Sequence, residues 1–113
     1  MNFTEFLSEV KKLNLREIRK DQPDYLEGVL AVSLLPRLVS ILESHFGPAT
    51  KPPGPPPKEK DRKIASPYGG VEKNQTLYAA DRGGENELAL LWPWGDGASV
   101  TVKIARRPVD AGI

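Results

Sequence analysis

Few side chains in this sequence are of the types that carry out covalent chemistry or bind metals. The 113 residues include no cysteine and a single histidine, His45. Without cysteine there is no thiol nucleophile and no cysteine metal site, and one histidine cannot form a multi-histidine site. His45 lies near the predicted end of a helix, where a capping or surface role is the favoured interpretation. The sequence therefore predicts no catalytic residue, no metal site and no cofactor.

Carboxylates are the other side chains that could form a chemical site. They occur in the C-terminal part of the chain as Asp81, Glu85, Glu87 and Asp96. No loop there has the spacing of a calcium-binding loop, and polar residues are common in loops and at strand ends. An enzyme that uses carboxylates is therefore the least favoured function.

Basic residues near aromatic residues form the pattern that best fits a binding surface. The candidate binding residues are Lys58, Lys60, Arg62, Lys63, Tyr68, Lys73, Trp92 and Trp94. Basic side chains neutralise phosphates, and aromatic rings stack on nucleic-acid bases. The basic residues within the insert at 48–73 are interrupted, however, by Glu59, Asp61 and Glu72. A solvated tether is therefore the favoured interpretation of this insert.

The insert begins with a proline-rich run, in which six of the ten residues 48–57 are proline. Such a run favours an extended polyproline helix and joins neither an α-helix nor a central strand. It could be a ligand for an aromatic groove or a spacer, and its composition does not separate these two roles. Because connections this long are uncommon in compact domains, we expect the insert to be functional or disordered.

The overall charge excludes a strongly basic nucleic-acid binder, because the net charge is only +1. The insert is nevertheless locally basic, with 6 basic and 3 acidic residues over 48–74. The N-terminus lacks the pattern of a signal peptide, and no apolar stretch approaches ~20 residues. We therefore expect a soluble cytoplasmic protein that does not interact with a membrane.

The N-terminal residues predict an amphipathic helix. Its apolar stripe consists of Phe3, Phe6, Leu7, Val10 and Leu13. Asn2 is the predicted N-cap, with Glu5 three residues later to complete a capping box. Residues 15–20 fit either a continued helix or a short strand, and the sequence leaves this open.

The stretch that follows is better explained by a strand and a helix than by one long helix. A single helix would contain Gly28 and Pro36, which cost ~1 and ~3 kcal/mol in a helix interior. A strand over 25–32 and a helix over 34–46 place Pro36 in the first turn, where no helical hydrogen bond is lost. Gly47 then follows the helix as its C-terminal glycine.

The C-terminal part predicts three strands, at 74–80, 87–94 and 98–106. The register of the last hairpin decides where the two tryptophans lie. A two-residue turn places Trp92 opposite Thr101, with both indole rings on the polar face. A three-residue loop instead places Trp92 opposite Val100 and makes one face wholly apolar. Because the apolar pattern normally selects the register, we predict both rings on the core side.

These elements predict an α+β fold with two helices on one face of a four- or five-stranded, mostly antiparallel sheet. We expect a single small domain over 1–113, with a helix and a strand–helix unit in 1–47, the insert at 48–73 and a three-stranded meander in 74–107. Pro93 lacks an amide donor, so its strand is predicted to have a free edge or a break in pairing. A free edge would allow a homodimer to form through the sheet.

The favoured function is that of a small non-enzymatic interaction module that binds a protein partner. Weak binding of nucleic acid or another polyanion through the basic insert is the alternative. The sequence names neither the partner nor a ligand.

Overall fold

The structure, a computed structural model, describes residues 2–108 and contains a five-stranded sheet and three α-helices. The helices are α1 (Phe3–Lys11), α2 (Leu35–Phe46) and α3 (Glu59–Ala65), and the strands are β1 (Glu17–Gln22), β2 (Tyr25–Ala31), β3 (Thr76–Asp81), β4 (Glu85–Pro93) and β5 (Ser99–Pro108). The strand order is β1-β2-β5-β4-β3, and every neighbouring pair is antiparallel. The predicted α+β fold is thus confirmed. The extent of the domain stays a prediction, and its ends, residue 1 and residues 109–113, lie outside the described part.

Helix α1 begins with the predicted capping box. The side chain of Asn2 accepts a hydrogen bond from the Glu5 amide at 2.8 Å, and the Glu5 carboxylate accepts one from the Asn2 amide at 3.2 Å. Two amide donors that the helix leaves free are thereby satisfied, an arrangement worth about 1 kcal/mol. Phe3, Phe6, Leu7 and Val10 of the apolar stripe are buried, and Leu13 is partly buried.

Strand β2 and helix α2 confirm the prediction of a strand followed by a helix. A 3₁₀ turn at Val32–Leu34 connects them, and Pro36 lies in the first turn of α2. Gly47 follows the helix with φ +83°, a conformation that glycine adopts without strain. The ambiguous residues before β2 form most of strand β1. No helix within residues 2–108 is long and apolar enough to cross a membrane.

One face of the sheet, which we call the first face, packs against α1 and α2. The main buried residues of this layer are Phe3, Phe6, Leu7, Val10, Leu26, Leu30, Leu38, Leu42, Tyr78, Ala89, Leu91, Val100, Val102 and Ile104. Alternate residues of β4 and β5 point into this layer, because successive side chains of a strand point to opposite faces of the sheet. This layer contains the two helices that the sequence predicted.

The opposite face of the sheet, the second face, also buries apolar residues. Its cluster consists of Ala65, Val71, Leu77, Leu88, Leu90 and Ala105. Helix α3, inside the insert, contacts β3 and supplies Ala65. Our interpretation of the insert as a solvated tether is therefore wrong. Helix α3 was missed because its short, charged sequence shows only Ile64 and Ala65 as apolar residues.

A buried lysine holds the two ends of the insert together. Lys51 is only 2% exposed. Its ammonium group donates to the carbonyl oxygens of Pro52 at 3.0 Å, Lys73 at 2.8 Å and Gln75 at 2.7 Å. Its backbone also pairs with Leu77 of β3 through two hydrogen bonds. The start of the insert, its end and the edge of the sheet therefore meet at one side chain.

Burial lowers the pKa of Lys51, and the negative charge of Asp61 acts in the opposite direction. Asp61 is itself buried in the first turn of α3, where its carboxylate accepts a hydrogen bond from the Lys58 amide at 2.9 Å. The Asp61 carboxylate therefore partly offsets the positive charge of the buried Lys51 ammonium group. It also stabilises the first turn of α3.

The predicted register of the last hairpin is wrong. Trp92 pairs with Thr101, as in the alternative with the two-residue turn, and Leu91 pairs with Val102. The indole rings of Trp92 and Trp94 therefore do not lie in the core between the sheet and α1–α2. The pattern argument assumed that only one face is buried, whereas both faces of β4 and β5 contain buried apolar residues.

The prediction of a free edge at Pro93 is also wrong, because β4 lies inside the sheet between β3 and β5. The alternative, a break in pairing at Pro93, is confirmed on the β3 side of β4. There the pairing ends at Leu91, two residues before Pro93. The edges are β1 and β3. Strand β1 is charged, fully exposed and irregular near Ile18, features that discourage edge-to-edge association. A homodimer through a sheet edge stays a prediction.

Substitution Lys51→Met keeps most of the apolar stem but removes the ammonium group from its three carbonyl acceptors. Because buried acceptors without a donor cost ~1–3 kcal/mol, we expect a loss of this size in the free energy of unfolding. Urea denaturation measures the loss. Relative to the parent protein, amide hydrogen exchange of the variant should accelerate more in the insert than in β5. Lys58→Met, at an exposed position, is the matched control. Equal stability of the two variants would show that Lys51 does not hold the insert.

Candidate functional site

Three candidate binding residues, all aromatic, come together on the second face of the sheet. Tyr68, Trp92 and Trp94 lie beside the part of this face that β2 and β5 form. Helix α3 covers β3, whereas aromatic and basic side chains cover this neighbouring part. We call this surface the aromatic–basic face, and its members are Arg19, Lys20, Tyr25, Glu27, Tyr68, Trp92, Trp94 and Lys103.

The other five candidates do not form one cluster. Arg62 and Lys73 line a groove in the insert, described below. Lys58 is exposed at the start of α3, and Lys60 lies toward the edge of β3. Lys63 forms a surface ion pair within α3. The basic run of the insert is thus divided among different sides of α3, because consecutive residues of a helix point in different directions.

Lys103 is the centre of the aromatic–basic face. Its ammonium group lies 3.7 Å from the centroid of the Trp92 ring and donates to the Tyr68 carbonyl oxygen at 2.8 Å. The ring of Tyr68 in turn stacks on Tyr25, with centroids 5.8 Å apart and an interplanar angle of 15°. A cation over an indole ring is worth about 0.5–2 kcal/mol. Lys103 therefore joins the insert to β4 and β5.

The second tryptophan lies at the exposed end of the same face. Trp94 is 39% exposed, and its indole nitrogen donates to the Thr101 hydroxyl at 2.9 Å. The guanidinium group of Arg19, on β1, lies 5.9 Å from the centroid of the Trp94 ring. The hydroxyl fixes the orientation of the ring and leaves much of its surface open to solvent.

Gly69 allows the insert to approach the sheet closely at this face. It has φ +103°, a left-handed conformation that favours glycine. A Cβ atom added to Gly69 would lie 2.5 Å from Cη2 of Trp92 and 3.3 Å from the ammonium nitrogen of Lys103. Only a residue without a side chain fits here, so Gly69 sets the distance between the insert and Trp92.

Two pKa shifts follow from the packing of this face. Burial lowers the pKa of Lys103, Glu27 opposes this change, and the positive charges of Arg19 and Lys20 add to it. Burial also raises the pKa of Tyr25, assisted by the hydrogen bond of its hydroxyl group to Glu27 at 2.7 Å. The face therefore gathers more positive than negative charge in a partly dehydrated environment.

Two depressions lie on either side of Gly69. The tyrosine pocket, about 370 Å³, includes Lys20, Tyr25, Tyr68 and Lys103 in its lining. The insert groove, about 530 Å³, has Arg62 of α3 and residues 69–73 in its lining, together with Pro56, Pro57 and Ser66. Gly69 belongs to the lining of both depressions.

His45 is not the capping or surface residue that we predicted. Its side chain is 5% exposed, and its Nε2 atom lies 2.6 Å from an oxygen of Glu87, whose side chain is 8% exposed. The imidazole stacks on Phe6 with centroids 4.0 Å apart, and Arg82 donates to the His45 carbonyl oxygen. His45 and Glu87 thus form a buried polar pair between α2 and β4, which the sequence could not reveal because the partners are 42 residues apart.

The remaining carboxylates of this set each have a separate partner, and that of Asp81 is the Gly83 amide, which donates at 3.2 Å. Glu85 pairs with Arg106 at 3.4 Å, and the Asp96 carboxylate accepts a hydrogen bond from the Ala98 amide within its turn. Within residues 2–108, no three His, Asp or Glu side chains are grouped so that they could hold a metal ion. The expectation that the protein uses no metal or cofactor stays a prediction.

No protein-family model, curated protein or solved structure matches this chain. Any functional argument therefore rests on the geometry of its own residues.

Sequence reasoning missed several members of the aromatic–basic face, among them Lys20, Tyr25 and Lys103. They lie on strands β1, β2 and β5, whereas the candidate binding residues named from the sequence were limited to the insert and the two tryptophans. The pairing of Glu27 with Lys103 places the β2 and β5 members side by side. The signal was available in principle, because a register with Trp92 opposite Thr101 puts Lys103 on the same face as Trp92.

Substitution Gly69→Ala should destabilise the protein, because it combines a strained φ with a clash against Trp92. We expect a loss of about 1–3 kcal/mol in the free energy of unfolding and a shifted tryptophan emission spectrum. Gly84→Ala is the matched control, since Gly84 has φ +104° but nothing within 4 Å of an added Cβ. If the two variants lose the same stability and have unchanged emission, Trp92 does not contact Gly69 as described.

The raised pKa of Tyr25 predicts a loss of stability in alkaline solution. Above pH ~10 the unfolded chain loses the tyrosine proton while the folded protein retains it, so stability falls as the pH rises. We expect Tyr25→Phe to lose less stability than the parent protein between about pH 9 and pH 11, each relative to its own value near neutral pH. Urea denaturation across this range measures the difference. Parallel curves for the two proteins would contradict the prediction.

Proposed function

We propose that the protein is a non-enzymatic interaction module that binds an acidic segment of a partner protein on its aromatic–basic face. The observation that carries this proposal is the concentration of partly exposed aromatic and basic side chains on one area of the sheet, around Lys103. Aromatic and arginine side chains are enriched in protein interfaces, where they supply contact area together with polar groups.

The charge of the face favours an acidic partner. Arg19, Lys20 and Lys103 lie on it together with the carboxylate of Glu27, and Glu17 of β1 lies 3.4 Å from Arg19. Glu27 lies 3.8 Å from Arg19 and accepts the hydrogen bond of Tyr25, so it is already engaged. Burial is the main cause of the lowered pKa of Lys103, and the nearby positive charges of Arg19 and Lys20 add to it by repulsion. A bound carboxylate would relieve this repulsion.

The arrangement of the rings favours a protein segment over single-stranded nucleic acid. Bases bind such surfaces by stacking on open aromatic faces. Here the ring of Tyr25 stacks on Tyr68, and the ammonium group of Lys103 covers the ring of Trp92. Among these aromatic residues Trp94 is the most exposed, at 39%, and the Arg19 guanidinium group lies 5.9 Å from its ring centroid. An extended peptide needs only carboxylates for the cations and an apolar side chain for the pocket.

The buried pair of His45 and Glu87 does not support an enzymatic function. Both side chains are more than nine-tenths buried, and the pair packs against Phe6 in the first-face core. A general base must reach its substrate within hydrogen-bond distance, and these groups are engaged with one another instead. We assign the pair a structural role between α2 and β4.

Fluorescence polarisation with a labelled peptide of sequence Glu-Asp-Phe-Glu-Asp tests the proposal. We expect saturable binding at low salt that weakens about fivefold to tenfold in Lys20→Glu, because one attraction becomes a repulsion. Lys12→Glu is the matched control, since Lys12 is an exposed residue after α1 and the change in net charge is equal.

Labelled oligothymidylate, titrated under the same conditions, separates the two classes of partner. Weaker binding of the oligonucleotide than of the peptide is expected. Tighter oligonucleotide binding that depends on Lys20 would overturn the proposal in favour of a nucleic-acid partner. Peptide binding that is equally affected by Lys12→Glu would reduce it to non-specific attraction.

A further inference from the structure

The insert groove continues the aromatic–basic face beyond Gly69. The tyrosine pocket and the groove share the backbone of Gly69 as a common wall. Because Gly69 lines both depressions, an extended chain bound in the pocket can continue directly into the groove. Gly70 follows Gly69 in the lining of the groove, and an added Cβ on it would meet nothing within 4 Å.

The groove carries two cations that have no partner among the described residues. Arg62 and Lys73 are exposed and line the groove, and neither forms an ion pair within residues 2–108. Lys63, the neighbour of Arg62, is by contrast paired with Glu59 in α3 at 3.4 Å. With Glu72 as the acidic residue of its lining, the groove has an excess of positive charge.

Both cations are attached to firmly held backbone. The Lys73 carbonyl oxygen accepts hydrogen bonds from the Lys51 ammonium group at 2.8 Å and from the Gly54 amide at 2.9 Å. Arg62 lies in α3, and its amide donates to the Lys58 carbonyl oxygen at 3.0 Å. Because the backbone is already ordered, the conformational entropy lost on binding comes mainly from ordering the two side chains.

We propose that the insert groove is a second subsite for the same partner segment, and that this segment carries two acidic clusters. The first cluster binds Lys20 and Lys103 in the tyrosine pocket. The chain then crosses the Gly69 wall, and the second cluster binds Arg62 and Lys73. This inference rests on the proposed function and adds the class of ligand, an extended chain with two separated groups of carboxylates.

Two linked subsites predict a gain in affinity that a single cluster cannot supply. Once the first cluster is bound, the second is held near its own subsite at a high effective concentration. A peptide with two identical clusters gains at most a factor of about two by statistics alone. We therefore take a gain of about tenfold or more as the sign of simultaneous binding.

The experiment compares a one-cluster peptide, Glu-Asp-Phe-Glu-Asp, with peptides that join two such clusters through glycine–serine linkers of increasing length. For the parent protein we expect the gain to be largest at one intermediate linker length, with one peptide bound per protein by isothermal titration calorimetry. The double substitution R62E/K73E should abolish the gain, and it should change the one-cluster affinity no more than a control of equal charge does. The matched control K60E/K63E changes the same charge on other sides of α3 and should keep the gain. Circular dichroism and urea denaturation confirm that both variants fold.

The outcomes separate this inference from the proposed function. If the one-cluster peptide binds in a Lys20-dependent manner but the two-cluster peptides gain less than tenfold, the second subsite is refuted and the proposed function stands. A gain that survives R62E/K73E, or two proteins bound to one peptide, also refutes the second subsite. If the one-cluster peptide does not bind, or binds independently of Lys20, the proposed function fails, and this inference fails with it.

Discussion

The second face of the sheet depends on the hydrogen bonds of the buried Lys51 ammonium group. It bonds carbonyl oxygens from both ends of the insert, and its backbone pairs with β3. A long loop loses conformational entropy when it is ordered, and closing it at one point limits the cost of ordering the rest. With its ends held, the insert can place α3 on the sheet and Gly69 against Trp92. Both depressions beside Gly69 include residues of the insert in their lining.

Burial of the second face of the sheet explains both the ordered insert and the position of Trp92. Strands with one buried face have a simple alternating pattern, whereas β4 carries apolar residues on both sides, such as Leu90 and Leu91. On such a strand the apolar pattern does not select one register. Trp92 therefore lies where Gly69 and Lys103 cover it rather than in the core against α1 and α2. The insert and the tryptophans are thus two parts of one arrangement.

The polar residues of the protein divide into a structural pair and a surface. His45 and Glu87 face each other inside the first-face core, where Phe6 covers the imidazole ring. Lys103, half-buried on the opposite face, instead contacts the Trp92 ring and lines the tyrosine pocket. The difference is one of access to solvent, and it is the reason that we place the function on the second face.

Local patterns in the sequence determined the helices α1 and α2, the three C-terminal strands and the α+β class, because capping residues, proline positions and apolar periodicity act over a few residues. Part of the candidate surface, Tyr68 and the tryptophans, was also identified by residue type. Tertiary structure alone decided the partners of Lys51 and His45, the register of Trp92 and the place of α3. These features depend on contacts between residues far apart in the chain, and a residue's type does not specify which distant atom will lie beside it once both faces of the sheet are covered.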